Sequence, residues 1–215
     1  LYFNTSGGNN SAFGSFTLRL NSSANHNTAS GGYGLYNNST GNNNTATGGY
    51  ALYNNSTGNY NTANGSSALH DNTSGSFNTA SGYWALSTNN GSSNTSTGAN
   101  SLYNNSTGIY NTASGYNALN GNTTGNYNTA TGMEALYNNP SGIGNTANGF
   151  QANYLFNGNS GNQNTAIGSY SLADALTSSY NTALGSGAGS GTIFYMGWNN
   201  TLIGAQTKAN AAGIF

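Results

Sequence analysis

Residues Asn44–Tyr60 read NTATGGYALYNNSTGNY, and the same frame of Asn, Gly, Ala and Leu returns along most of the chain. With the Asn of each N-[TS]-x-x-G as a register mark, the marks fall at 10, 27, 44, 61, 78, 94, 111, 128, 145, 164, 181 and 200. Most steps are 17 residues, one is 16 and two are 19. Such self-similarity at a short fixed period marks a repeat architecture, in which each unit buries its apolar residues only by stacking on its neighbours. Seventeen residues are too few for a helix-containing repeat and about right for one turn of a β-solenoid.

Within each copy, N-T-A-x-G gives a short alternating segment and x-A-L-Y a second. Gly stands at one corner and N-N-S-T-G at the other, both of them turn chemistry. Pro140 falls in the second corner, where loss of a ladder donor is tolerated. The expected fold is therefore all-β: a parallel β-solenoid, or β-roll, of about twelve 17-residue coils with two short strands in each. Residues 1–9 form a leader, 10–204 the repeats and 205–215 a tail. At about 4.7–4.9 Å per rung, twelve coils give a rod of roughly 55–60 Å. Leu35, Leu52, Leu69, Leu86, Leu102, Leu119 and Leu136 share one column and supply the aliphatic core. Stacked Asn side chains are expected to bond along the axis as amide ladders. Parity leaves open which face of N-T-A-x-G points inward.

Composition narrows the function. Five side chains are formally charged, Arg19, Asp71, Glu134, Asp174 and Lys208, whereas about a fifth of the residues are Asn. Two cations in 215 residues cannot form the basic patch that nucleic acid or an anionic membrane surface requires. No apolar run approaches the roughly 20 residues of a membrane-spanning helix. The 16 Tyr, 8 Phe and 2 Trp, set into a strict period, argue for order rather than disorder. Cysteine is absent, which removes disulfides and thiolate metal sites. The chain opens at Leu1 without Met, as a processed piece would. Low charge, abundant Asn, Ser and Thr, and regular repeats together favour an extracellular or cell-surface setting.

Repeated N-T-A-x-G followed by x-x-A resembles the head repeats of YadA-like trimeric autotransporter adhesins, over Asn10 to about Gly204. The longer coil is also similar to repeats in bacterial surface fibres and phage tail fibres. The resemblance implies a left-handed β-roll, often trimeric, displayed outside the cell for adhesion. The N-N-S-T-G corner enlarges each coil beyond that pattern, and these residues include neither a heptad stalk nor a membrane anchor.

Catalytic and metal-binding patterns are weak. His70-Asp71 beside serines has the elements of a nucleophile system but reads as a substituted Tyr slot. His26 and His70 lie in different columns, and Asp71 with Asp174 is too few for a calcium roll. Gly185–Gly191 lacks the Lys and helix of a phosphate loop. The expectation is a chain with no enzyme activity, no cofactor and no metal.

Three other features bear on function. Asn21, Asn38, Asn55, Asn72, Asn105 and Asn122 form a column of N-x-[ST] sequons at the corner, candidates for glycan attachment, with corner Ser and Thr as O-linked alternatives. An unbroken Thr column from Thr28 to Thr201 is similar to the faces of ice-binding proteins, but its second column, at Thr47, Thr97 and Thr131, is intermittent. The fourth position of the mark, usually Ser, Thr or Asn, becomes Phe13, Ile167, Leu184 and Ile203 toward the two ends. A polar-to-apolar switch there points to contact with something other than water.

With no capping repeat in evidence, the ends invite addition of another strand edge. A head-to-tail contact that does not close generates a filament. The expected function is thus a structural subunit of an extracellular bacterial filament or fibre, glycosylated at its corners. Its polymer contacts are Leu1, Tyr2, Phe3, Phe13, Ile167, Leu184, Ile203, Ile214 and Phe215. The alternative is a carbohydrate- or surface-binding head of a trimeric adhesin or tail fibre, using Tyr36, Tyr53, Trp84, Tyr103 and Tyr137. The partners are accordingly further copies of the chain, as homopolymer or homotrimer, and glycans or a neighbouring cell surface.

Overall fold

A computed structural model describes residues 2–154, 160–173, 178–190 and 198–208. It is an all-β, parallel β-solenoid with twelve three-residue strands and falls into two units, Leu1–Thr107 and Gly108–Phe215. The first unit holds β1 (Ser11–Phe13), β2 (Thr28–Ser30), β3 (Thr45–Thr47), β4 (Thr62–Asn64), β5 (Thr79–Ser81) and β6 (Thr95–Thr97). The second holds β7 (Thr112–Ser114), β8 (Thr129–Thr131), β9 (Thr146–Asn148), β10 (Thr165–Ile167), β11 (Thr182–Leu184) and β12 (Thr201–Ile203). Within each unit every strand pairs in parallel with the strand of the next coil, like residue on like: Thr28 on Thr45, Thr45 on Thr62, Thr129 on Thr146.

In β2–β12 the central residue of each strand is buried and its two neighbours point out; in β1 all three are exposed. The inward column is Ala29, Ala46, Ala63 and Ala80 in the first unit and Ala113, Ala130, Ala147, Ala166 and Ala183 in the second. Small residues there let the next segment approach, since a Cβ at Gly34, in the slot before Leu35, would stand 3.5 Å from Ala29 Cβ, and the Leu column is also fully buried. In β6, Ser96 replaces the Ala, and Ser101 replaces the Ala next to the Leu. The two serines hydrogen-bond each other, and Ser96 Oγ also donates to the Ser101 carbonyl at 2.8 Å, so the paired substitution satisfies itself.

Among the described residues each coil carries one strand, not two. The x-A-L-Y segment stacks coil on coil, with Leu35 N donating to Ala51 O and Leu52 N to Ala68 O, both at 3.0 Å. It is nonetheless a series of turns, because the column leucines from Leu18 to Leu172 have φ between +46° and +53°. A left-handed residue with a Cβ costs about 1–2 kcal/mol. Full burial of a Leu returns about 1.5–3 kcal/mol, so the strained turn is tolerated because it aims the Leu inward. The strand-side corner has a stricter requirement. Gly65 has φ +140°, and a Cβ there would stand 2.4 Å from the carbonyl oxygen of Gly82.

Two internal Asn columns run beside this core. In the register-mark column, Asn44 N donates to Asn27 Oδ1 at 2.9 Å and Asn44 Nδ2 to Gly58 O at 2.8 Å, and Asn61 repeats the pattern. In the corner column, Asn55 Nδ2 donates to Asn38 Oδ1 at 2.7 Å and to Gly58 O at 3.0 Å. Asn72 and Asn89 continue it. The 16-residue step is absorbed here: Asn89 keeps its place in the ladder and bonds Gly91 O two residues on, where Asn72 bonds Gly75 O three residues on. Residues 2–9 extend the stack, with Phe3 N on Arg19 O and Thr5 N on Ser22 O. Ala205–Thr207 do likewise, with Gln206 N on Ser186 O.

Candidate functional site

The sequon column is corrected by its burial. Asn21, Asn38, Asn55, Asn72, Asn105 and Asn122 are fully buried, and their amide nitrogens donate to the carbonyl three residues on or, for Asn105, to Asn89 Oδ1 of the neighbouring coil. The nitrogen a sugar would be joined to is the one that holds the turn closed. Glycan attachment needs an exposed Asn at the corner, whereas the second Asn of N-N-S-T-G turns inward. Its hydroxyls behave differently: Thr40, Thr57, Thr73, Ser74, Ser106 and Thr107 are exposed.

The apolar residues of the end column are exposed. Phe13 on β1 is 82% exposed and Ile203 on β12 is 67% exposed, with Ile167 and Leu184 also open on β10 and β11. All four occupy the outward third position of their strands, which Ser, Thr or Asn fills from β2 to β9. Strand side chains stand perpendicular to the sheet, so these residues face sideways at the end rungs and not along the axis. Among the described residues, β1 pairs only with β2 and β12 only with β11. Beside β1 lies a hollow of about 620 Å³ lined by Tyr2, Ala12, Gly14, Phe16, Thr17 and Arg19. Arg19 donates to the Tyr36 hydroxyl, and its guanidinium lies 5.5–5.8 Å from the ring centres of Tyr2, Phe3, Phe16 and Tyr36. Tyr2 and Phe3 are themselves exposed. Leu1, Ile214 and Phe215 lie outside the described residues.

The aromatic candidates form ladders. Tyr36, Tyr53 and His70 stack with centroids 5.1 Å apart at each step, and Tyr33 stacks on Tyr50 at 4.9 Å. Trp84 meets Tyr103 at 5.5 Å and Tyr137 meets Tyr154 at 5.3 Å. All five candidates are half-buried. Because the rings stack along the axis, each covers the face of the next, and faces are what a sugar ring would need. His70 Nδ1 lies 2.8 Å from Asp71 Oδ1, and Asp71 also accepts from Asn54 Nδ2, which places the His–Asp pair within a ladder. Among the described residues there is no group of three or more His, Cys, Asp or Glu placed to hold a metal.

More exposed rings stand in a column not singled out from sequence, the residue just before the register Asn: Tyr60, Phe77, Tyr110, Tyr127 and Tyr180. The signal was available as an aromatic recurring at that slot, but gaps at Asn43, Ser93 and Gly144 dilute it. No helix among the described residues is long and apolar enough to cross a membrane. No protein-family description, curated protein or solved structure matches the chain.

Proposed function

We propose that the chain is a structural subunit of an extracellular filament or fibre that adds head to tail through its end coils. The observation carrying this reading is the exposed apolar third position on β1 and β10–β12, against polar residues at the same position on β2–β9. The partner is a second copy. Its strand edge continues the parallel ladder, and an apolar segment containing Tyr2-Phe3 or Ile214-Phe215 packs against the sideways-facing apolar residues. Near-absence of charge supports stacking, since a column of like charges would repel at every rung. The corner hydroxyls offer attachment points for O-linked sugar on the outside of such a fibre.

Truncation tests the bridging role. Removal of Leu1–Phe3 or of Ile214-Phe215 is expected to leave a folded protein that no longer polymerises. Unchanged filaments from both truncations would rule out bridging by either segment. A second reading, a trimeric carbohydrate-binding head, draws on the more exposed rings of Tyr60, Phe77, Tyr110, Tyr127 and Tyr180; discrete three-chain particles that retain glycans on an array would put it in place of the first.

A further inference from the structure

We propose that Tyr110 and Tyr127 form a site of oxidative cross-linking, a dityrosine that staples adjacent coils covalently. The two rings stack with centroids 5.2 Å apart and planes within 10°. Each is more than half exposed, at 54% and 58%. Each immediately precedes a fixed point of the stack, the buried Asn111 before β7 and the buried Asn128 before β8. Tyr127 N donates to Ile109 O at 3.1 Å, and both tyrosines are held at φ +57°. The pair is thus accessible to an oxidant while its relative position is set by the backbone. That geometry converts an encounter between two phenols into an intramolecular step.

The chemistry needs a one-electron oxidant of the peroxidase–peroxide class. Each phenol gives up one electron and one proton, and hydrogen peroxide takes up both electrons and both protons to become two waters. The two phenoxyl radicals join through one ortho carbon of each ring. The hydrogen on each joined carbon then moves to its phenoxyl oxygen, restoring two aromatic phenols with a net loss of two hydrogens. The chain contains no Cys, so no thiol of its own intercepts the radicals.

The fold supplies a matched control. Tyr60 and Phe77 occupy the same column with the same stacking, 5.1 Å and 4°, but Phe77 has no phenol to oxidise. Tyr127→Phe therefore recreates a pair the fold already accepts. This proposal stands whether or not the chain polymerises, because both tyrosines belong to one chain.

The test is exposure of the dilute, folded full-length chain to peroxidase with limiting peroxide, followed by intact-mass and peptide analysis. The expected result is dityrosine fluorescence, a monomer lighter by two hydrogens, and a linked peptide joining Tyr110 to Tyr127. The yield of that peptide should be on the order of tenfold higher in the folded chain than in urea. Tyr127→Phe should keep its circular dichroism and lose the linked peptide. Absence of the Tyr110–Tyr127 peptide, equal yield in urea, or links found only between chains would each overturn the assignment.

Discussion

At the residue scale, buried amides hold the coil together. Asn55 donates to both Asn38 Oδ1 and Gly58 O and accepts from Asn72 Nδ2. Asn55→Ala leaves partners on both neighbouring coils unmatched, at about 1–3 kcal/mol for each buried group left unsatisfied. Urea unfolding should show a clear drop in midpoint. Asn153 predicts the reverse. It replaces a Leu of the core column, is buried, and neither its Oδ1 nor its Nδ2 has a partner among the described residues. Asn153→Leu restores the column and should raise stability by about 1–3 kcal/mol, read by the same unfolding curve. The sequence made the Leu column and the amide ladders legible because both are stacking effects, visible as identity at the period. It hid which Asn of N-N-S-T-G is buried, because one Asn of the pair must close the turn and composition does not say which. Hydrogen bonding decides: the second of each pair, such as Asn38 or Asn55, reaches the carbonyl three residues on.

At the element scale, the corner Gly column sets how closely coils approach. In Gly65→Ala, the backbone at φ +140° is strained by about 1–3 kcal/mol. The new Cβ must also displace the Gly82 carbonyl oxygen 2.4 Å away. Hydrogen exchange should show faster opening in β4 and β5 than in β2, since stacked repeats transmit damage first to neighbours. Uniform protection across the first unit after the substitution would contradict a steric role for this column. The expectation of two strands per coil came from the alternation of x-A-L-Y. Periodicity reports which residues point inward, and Leu69 does, but it is blind to the sign of φ, which at Leu69 is +51°. The inward Leu is reached through a turn where a strand was expected.

At the scale of the whole molecule, the proposed assembly can be tested apart from folding stability. Phe13→Ser with Ile203→Thr replaces exposed apolar residues by the polar types that fill the same position in β2 and β3. Folding stability should change by no more than about 0.5 kcal/mol, as for ordinary surface substitutions, while filament assembly, read by sedimentation, should be lost. The end-column switch was visible in sequence because it breaks an otherwise regular column. Its sideways direction was not, because that depends on where the strand begins. Electron microscopy of the native material, purified without denaturant, tests polymerisation most directly. The prediction is long filaments with an axial rung of about 4.7–4.9 Å and a longer repeat set by one subunit. Discrete short particles three chains thick would contradict it.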